Sequence, residues 1–282
     1  RRQRQMCIRD SMNRLMIIIT ILMMIFVVLI NVSNAQNYYN YNTVGVNEEK
    51  YSFNLGVWSA KLTGDTFAPS TSFTTDLQND LGFGNTRGAI TLDFNYRISN
   101  LNTIGLSFFS TSHKAVRTLT RNITLPGEPN DVNVASGTTV FSSIKLNAFD
   151  LYYRRYFSTE SNYNFYGLVG VRFNDLKGDF ATNTTPLASV DFNVANLYIG
   201  LGGDFRLSEN FKVFYQVQGV SLSFSGDKIN YAEYQVGLNY KFTQNWGLNI
   251  GYRYNSTKGE DDLSRSLNVK YQGFLFGLSG KF

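Results

Sequence analysis

Between Tyr231 and Phe242 every second residue is apolar. Ala232, Tyr234, Val236, Leu238, Tyr240 and Phe242 fall on one face of an extended chain, and Glu233, Gln235, Gly237, Asn239 and Lys241 on the other. Successive strand side chains point to opposite sides, so such a segment has one oily and one wet face. The pattern recurs in segment after segment, joined by polar turns. No stretch after residue 35 is long and apolar enough to span a bilayer as a helix. In lipid every backbone polar group must find a partner within the protein, which leaves closed barrels as the way for strands to cross. The sequence therefore predicts an all-β, antiparallel, up-and-down transmembrane barrel.

The periodicity predicts ten strands, over 51–63, 88–98, 103–119, 138–157, 164–180, 191–207, 211–225, 231–242, 246–255 and 267–282. Eight or twelve stay open, because 65–87 has room for a further hairpin. Short connections (99–102, 158–163, 208–210, 243–245) alternate with long ones (64–87, 120–137, 181–190, 226–230, 256–266). That rhythm is expected of a membrane barrel with tight turns on one side and loops on the other. No proline falls within these strand cores, as ladder hydrogen bonding requires.

Faces are clearest in five strands. In the second, Ile90, Leu92, Phe94, Tyr96 and Ile98 face out, and Thr91, Asp93, Asn95 and Arg97 face in. In the fifth, Val169, Val171 and Phe173 oppose Gly170, Arg172 and Asn174. In the sixth, Leu197, Ile199, Leu201 and Phe205 oppose Asn196, Gly200, Asp204 and Arg206. The eighth is the segment above. In the ninth, Trp246, Leu248, Ile250, Tyr252 and Tyr254 oppose Asn249, Gly251 and Arg253. The apolar phase slips near 147–149, 219–222 and 271–274, which reads as bulges or as points where the strand leaves the membrane. Aromatics collect at the short-turn end (Tyr96, Tyr156, Phe157, Phe165, Phe205, Phe211, Tyr240, Phe242, Trp246, Phe282), as in an interfacial girdle.

Residues 12–35 have the layout of a secretory signal peptide: Met12, a positive Arg14, an apolar run from Leu15 to Ile30, and a polar end at Ser33-Asn34-Ala35. Cleavage is expected after Ala35, leaving an N-terminal segment 36–49 ahead of a barrel domain over 50–282. Residues 1–11 read as translated adapter sequence and are set aside. The net charge of +5 is mostly a leader effect, since residues 1–35 hold five arginines and one aspartate. The rest is nearly neutral and gives no reason to expect nucleic acid as a partner. The single cysteine is Cys7, so no disulfide or thiol chemistry is expected after the leader.

The C-terminal FGLSGKF resembles the assembly signal of Gram-negative outer-membrane barrels, with Phe276, Leu278 and the terminal Phe282 at alternate positions. Gly280 departs from it, since that position is often aromatic or aliphatic. With the leader and the strand pattern, the chain resembles a small outer-membrane β-barrel of the porin-like or OmpA/OmpW-like type. The resemblance implies export to the bacterial outer membrane, with short turns and both termini on the periplasmic side. It implies contact with outer-membrane lipid and lipopolysaccharide, and with the barrel-assembly machinery through the last strand.

Ten strands leave a narrow interior. The inward charges mix signs: Asp93, Asp150, Asp204 and Glu233 against Arg97, Arg154, Arg172, Arg206, Lys241 and Arg253. Isolated charges there would be costly, so a structural ion-pair network is expected. The alternative is a selectivity ring favouring small anions, since bases outnumber acids. The one histidine, His113, lies inward on the third strand near its outer end, where some outer-membrane barrels carry hydrolase or acyltransferase sites. Ser110 and Ser112 fall on the opposite face, so an acidic partner would have to come from a loop, such as Asp175, Asp179 or Asp261. The chain is therefore not expected to be an enzyme. Neither metal nor cofactor is expected, with one histidine and an acidic run, Glu260-Asp261-Asp262, suited to a solvated loop. Three roles remain: a narrow pore or structural membrane protein, a binding or adhesion barrel acting through loops 64–87 and 120–137, and a rim enzyme.

Overall fold

A computed structural model describes residues 50–70, 74–126, 131–159, 162–183, 185–224, 227–260 and 264–282. The expected signal peptide, the upstream residues 1–11, the segment 36–49, and Asp261 and Asp262 lie outside them. Ten strands form one antiparallel sheet: β1 (Tyr51–Phe67), β3 (Thr86–Ser99), β4 (Asn102–Thr118), β7 (Thr139–Thr159), β8 (Tyr163–Ala181), β9 (Pro186–Arg206), β10 (Phe211–Phe224), β11 (Asp227–Lys241), β12 (Trp246–Glu260) and β13 (Ser266–Lys281). Each pairs with its sequence neighbour in this set, and β13 returns to β1 from Ser52↔Lys281 to Phe67↔Ser266. The sheet has no free end, so the barrel is closed. Three short strands lie among the loops: β2 (Thr74–Asp76), β5 (Ile123–Leu125) and β6 (Val132–Val134). Among the described residues between β1 and β3 the one strand is β2, which pairs with the top of β1 and adds no hairpin to the wall, so the barrel keeps ten strands.

Several strands run further at the long-loop end than periodicity predicts. β1 continues to Phe67, β9 begins at Pro186, β11 at Asp227, and β12 reaches Glu260. The reason is an inversion of polarity partway along the wall. In β1, Leu55 and Val57 face out and are about half exposed; the next outward residues are Ser59, Lys61, Thr63 and Asp65. Inward, Trp58, Ala60 and Leu62 are fully buried. In β7 the outward row changes from Leu151 and Phe149 to Asn147, Lys145 and Ser143, while Ala148, Leu146, Ile144 and Val140 are buried inside. β8 mirrors it, with Phe173 followed by Asp175, Lys177 and Asp179 outside, and Leu176 and Phe180 inside. The lower half of the barrel is thus oily outside and polar inside, as a bilayer demands. The upper half is polar outside and oily inside, as water demands.

The apparent phase slips mark this boundary. They are not bulges: pairing runs unbroken through Phe149↔Phe173 and Asn147↔Asp175, through Gly219↔Ala232 and Leu222↔Ile229 on the β11 side, and through Tyr271↔Leu62 and Phe274↔Ser59, while on the β9 side the ladder of β10 ends at Gly219↔Ile199. Register shifts fall elsewhere, at Arg97/Ser99, Tyr156/Ser158 and Phe180/Ala181. At the third slip Gly273 takes a φ of 157°, and a Cβ there would run into the carbonyl oxygen of Ser59. Its own carbonyl accepts the Trp58 indole N–H at 3.2 Å. Glycine is required at that close approach.

The upper interior is closed by side chains from wall and loops together. Trp58, Leu62, Phe109, Ile144, Leu146, Phe180, Val269 and Tyr271 from the wall pack with Leu77, Leu81, Phe83, Leu119, Ile123, Leu125 and Val134 from the loops. Polar ties hold this cap. Thr75 Oγ1 donates to the carbonyl of Thr124 at 3.0 Å, and Arg121 grips the Asp80 carboxylate through Nε at 2.8 Å and Nη2 at 2.5 Å.

Candidate functional site in the barrel lumen

Below the apolar plug lies a layer of buried charge spanning the lumen. Arg172 on β8 is fully buried and forks onto Asp150 of β7, Nε to Oδ1 at 2.5 Å and Nη2 to Oδ2 at 2.6 Å. Its Nη1 reaches Glu233 of β11 at 3.1 Å. Arg253 of β12 holds both oxygens of Glu233 at 2.9 Å, and Asn255 adds a bond at 2.8 Å. Gln218 of β10 bonds the Tyr231 hydroxyl at 2.6 Å. Aromatic faces cover the guanidinium groups: Tyr231 lies 4.2 Å from Arg172, and Phe109 4.9 Å from Arg253. The inward phase of five strands brings these polar residues together. Burial makes their pairing obligatory, because an unmatched ion in this setting costs several kcal/mol. The hydrogen bonds and ring contacts take up most of the remaining donors and acceptors, and Arg253 Nε is left without a hydrogen-bond partner.

Beneath that layer the lumen opens into a cavity of about 160 Å³. Its lining includes Asn54, Asp93, Arg154, Tyr166, Gln216 and Gln235. Tyrosine rings pack across glycines on neighbouring strands, Tyr152 over Gly105 and Tyr166 over Gly202, where any larger residue would collide with them. A second pocket of about 50 Å³ lies at the short-turn end, lined by Lys50, Arg97, Thr103, Arg154, Tyr156 and Lys281.

The ten charges that alternation placed inside thus occupy three levels. Asp150, Arg172, Glu233 and Arg253 meet in the buried network. Asp93, Arg154 and Asp204 line the lower cavity, with Asp204 bound by Lys212 at 3.1 Å and by Asn164 at 3.0 Å. Arg97 is nearer the mouth, and Arg206 and Lys241 are exposed at the rim with Lys212 and Lys281. They do not form one ring. Sequence reasoning missed Lys212 and Lys281, which follow from the inward rows of β10 and β13, and the neutral residues Gln218, Tyr231 and Asn255 that complete the network. Tyr156, expected in the girdle, points inward against Tyr166 (5.3 Å between ring centroids), because its alternation belongs with Tyr152 and Arg154.

Other girdle aromatics meet in pairs at the short-turn end, such as Phe157 with Phe165 and Phe211 with Tyr240. At the seam, Phe276 and Phe282 face outward and are about half exposed, and Leu278 shares their row. Gly280 has a physical reason: the Phe53 ring of β1 lies over it and packs with Trp246 and Phe282. The aromatic missing from β13 is supplied across the seam.

His113 faces inward as expected, but inside the apolar core and 2% exposed. Its Nε2 meets the carbonyl of Ala60 at 3.1 Å, its Nδ1 the Thr111 hydroxyl at 3.3 Å, and the Tyr271 ring lies beside it. Asp175 and Asp179 face outward on β8, away from it. Among the described residues no group of three His, Cys, Asp or Glu could hold a metal ion.

The chain matches no protein-family model and no curated protein by sequence. It is similar to solved outer-membrane barrels. The outer-membrane protease OmpT of Escherichia coli aligns over 86% of this chain and 99% of that one, with 13% identity and a TM-score of 0.50. The translocator domain of the autotransporter NalP from Neisseria meningitidis aligns over 92% and 95%, with 11% identity and a TM-score of 0.46. The attachment invasion locus protein Ail of Yersinia pestis aligns over 83% and 99%, with 14% identity and a TM-score of 0.35. At such identities the likeness is one of fold and not of activity. In fold this protein is a closed, up-and-down antiparallel β-barrel of ten strands, similar to those outer-membrane proteins.

Proposed function

We propose that the protein is a non-conducting integral barrel of the bacterial outer membrane, a structural wall element whose upper half stands clear of the lipid as a rigid tower. The observation that carries this reading is the doubly filled lumen. The ion-pair layer of Asp150, Arg172, Glu233 and Arg253 crosses it, and the apolar plug and cap lie above. A pore needs a continuous wet path, and a packed apolar core opposes one. The half-exposed apolar belt supports residence in lipid. The polar skirt above it, with Lys61, Lys145 and Lys270, suits the headgroup region and lipopolysaccharide. The C-terminal row of Phe276, Leu278 and Phe282 supports recognition by the barrel-assembly machinery, and the leader supports export with cleavage after Ala35. His113, held by a carbonyl and a hydroxyl in an apolar core, offers no support for a rim enzyme. The test is planar-bilayer recording on refolded protein, its folding verified by a heat-modifiable gel shift. No current steps above background are expected; stable single-channel steps would overturn the reading.

A contact role at the cell surface is the second reading, favoured by the tower itself. Strands extended past the lipid belt and capped by packed loops present a fixed surface, as recognition requires. Deleting 120–137 should abolish binding to whole cells or matrix while the gel shift persists. Unchanged binding would exclude that loop.

A further inference from the structure

Among the described residues, Arg154 of the lumen is a cation with no ion pair to a carboxylate. The Arg154 guanidinium lies 4.3 Å from the Tyr166 ring and 5.3 Å from that of Tyr152. Its Nη2 reaches Gln216 Oε1 only at 3.4 Å, and its Nε is buried with no partner. Arg172 and Arg253, a layer above, are by contrast fixed to carboxylates. The two acids sharing its cavity do not neutralise it. Asp204 is engaged by Lys212, and neither Asp204 nor Asp93 forms an ion pair with Arg154. Arg154 and Tyr156 line both lower cavities, so the basic pocket at the mouth, with Lys50, Arg97 and Lys281, adjoins the larger chamber.

We propose that Arg154 anchors a binding site for a small monocarboxylate that enters the barrel from its short-turn end. A guanidinium presents a planar fork that matches a carboxylate with two parallel hydrogen bonds. Burying such a group unpaired is unfavourable, and a bound carboxylate removes that penalty. The basic mouth draws anions inward. Asp93, in the same chamber, opposes a second negative charge on the ligand more than a first, which favours a monocarboxylate over a phosphate dianion. The amides of Asn54 and Gln235 face the same chamber and can meet an amide or hydroxyl on the ligand, while that of Gln216 is held by Tyr166 and Gln218. A cavity of about 160 Å³ admits a molecule of a few heavy atoms. The site goes beyond the sealed-barrel reading and does not depend on it, since a conducting barrel could still bind at Arg154.

The test is isothermal titration of refolded full-length barrel in detergent at pH 7 and fixed ionic strength. N-acetylglycine serves as the carboxylate probe and N-acetylglycinamide as its neutral counterpart. One-site saturable binding of the first and none of the second are expected. Arg154→Gln should weaken binding at least tenfold while the heat-modifiable gel shift of the folded barrel persists. Arg154→Lys keeps the charge and loses the fork; it should also bind more weakly, and it decides the matter if the glutamine variant does not fold. Absence of saturable binding to the wild type would overturn the proposal. So would equal binding of the amide, or unchanged affinity in a folded Arg154 variant.

Discussion

The buried network shows what a single side chain does in this wall. Arg172 faces two carboxylates, Asp150 and Glu233, from a position with no access to solvent. Removing it leaves both acids short of a partner where water cannot replace it. Arg172→Gln is therefore expected to cost about 3–5 kcal/mol in denaturant unfolding from detergent or bilayer, as when one member of a buried pair is deleted. A loss below about 1 kcal/mol would mean that water reaches this layer. The types and the inward facing of these residues were legible in the sequence, because alternation assigns a side to every strand residue. Their meeting was not, because height depends on strand stagger, which no local pattern encodes. Asp93, Arg97, Arg206 and Lys241 carried the same inward signal and lie at other levels.

The clearest element-scale feature is the cap, in which β2, β5 and β6 close the tower. Its external tie is Asp80 with Arg121. The hydrogen bond from Arg121 holds the Asp80 carboxyl below the usual carboxylate range. A carboxyl whose folded pKa is depressed stabilises the fold above its unfolded value, about 4, and that contribution is lost as pH falls through the folded value. The cap should stay closed between pH 5 and 8 and loosen below about pH 4. Hydrogen exchange across 74–83 and 119–125 checks this, and Arg121→Gln should show the loosened pattern already at pH 7. No pH dependence in the wild type would remove the tie from the account. This element was hidden in the sequence. Its strands are three residues long, too short for periodicity, and their apolar residues serve a core built mostly by other strands. The long strand ends were underread for a related reason: above the lipid the apolar residues move to the inner face, so a reading tuned to oily-out stops at the boundary.

Across the whole molecule, one cylinder serves two solvents. Its lower half is apolar outside and polar inside and its upper half the reverse, as the proposed residence in lipid requires, with the two polarities exchanged at a level marked by Ser59, Asn147, Asp175 and Gln272. The closed fold, the strand number, the turn rhythm and the C-terminal row could all be read from the sequence, because each follows from alternation and turn chemistry. The exchange showed in the sequence only as three losses of phase. Single-cysteine labelling along the outer row of β7 tests it most directly, since the chain has no cysteine after Cys7. Fluorophores at positions 143, 145, 149 and 151 are read in bilayers with a lipid-borne quencher and a water-soluble one. The account predicts lipid quenching at 149 and 151 and aqueous quenching at 143 and 145. Lipid quenching at all four positions would contradict it.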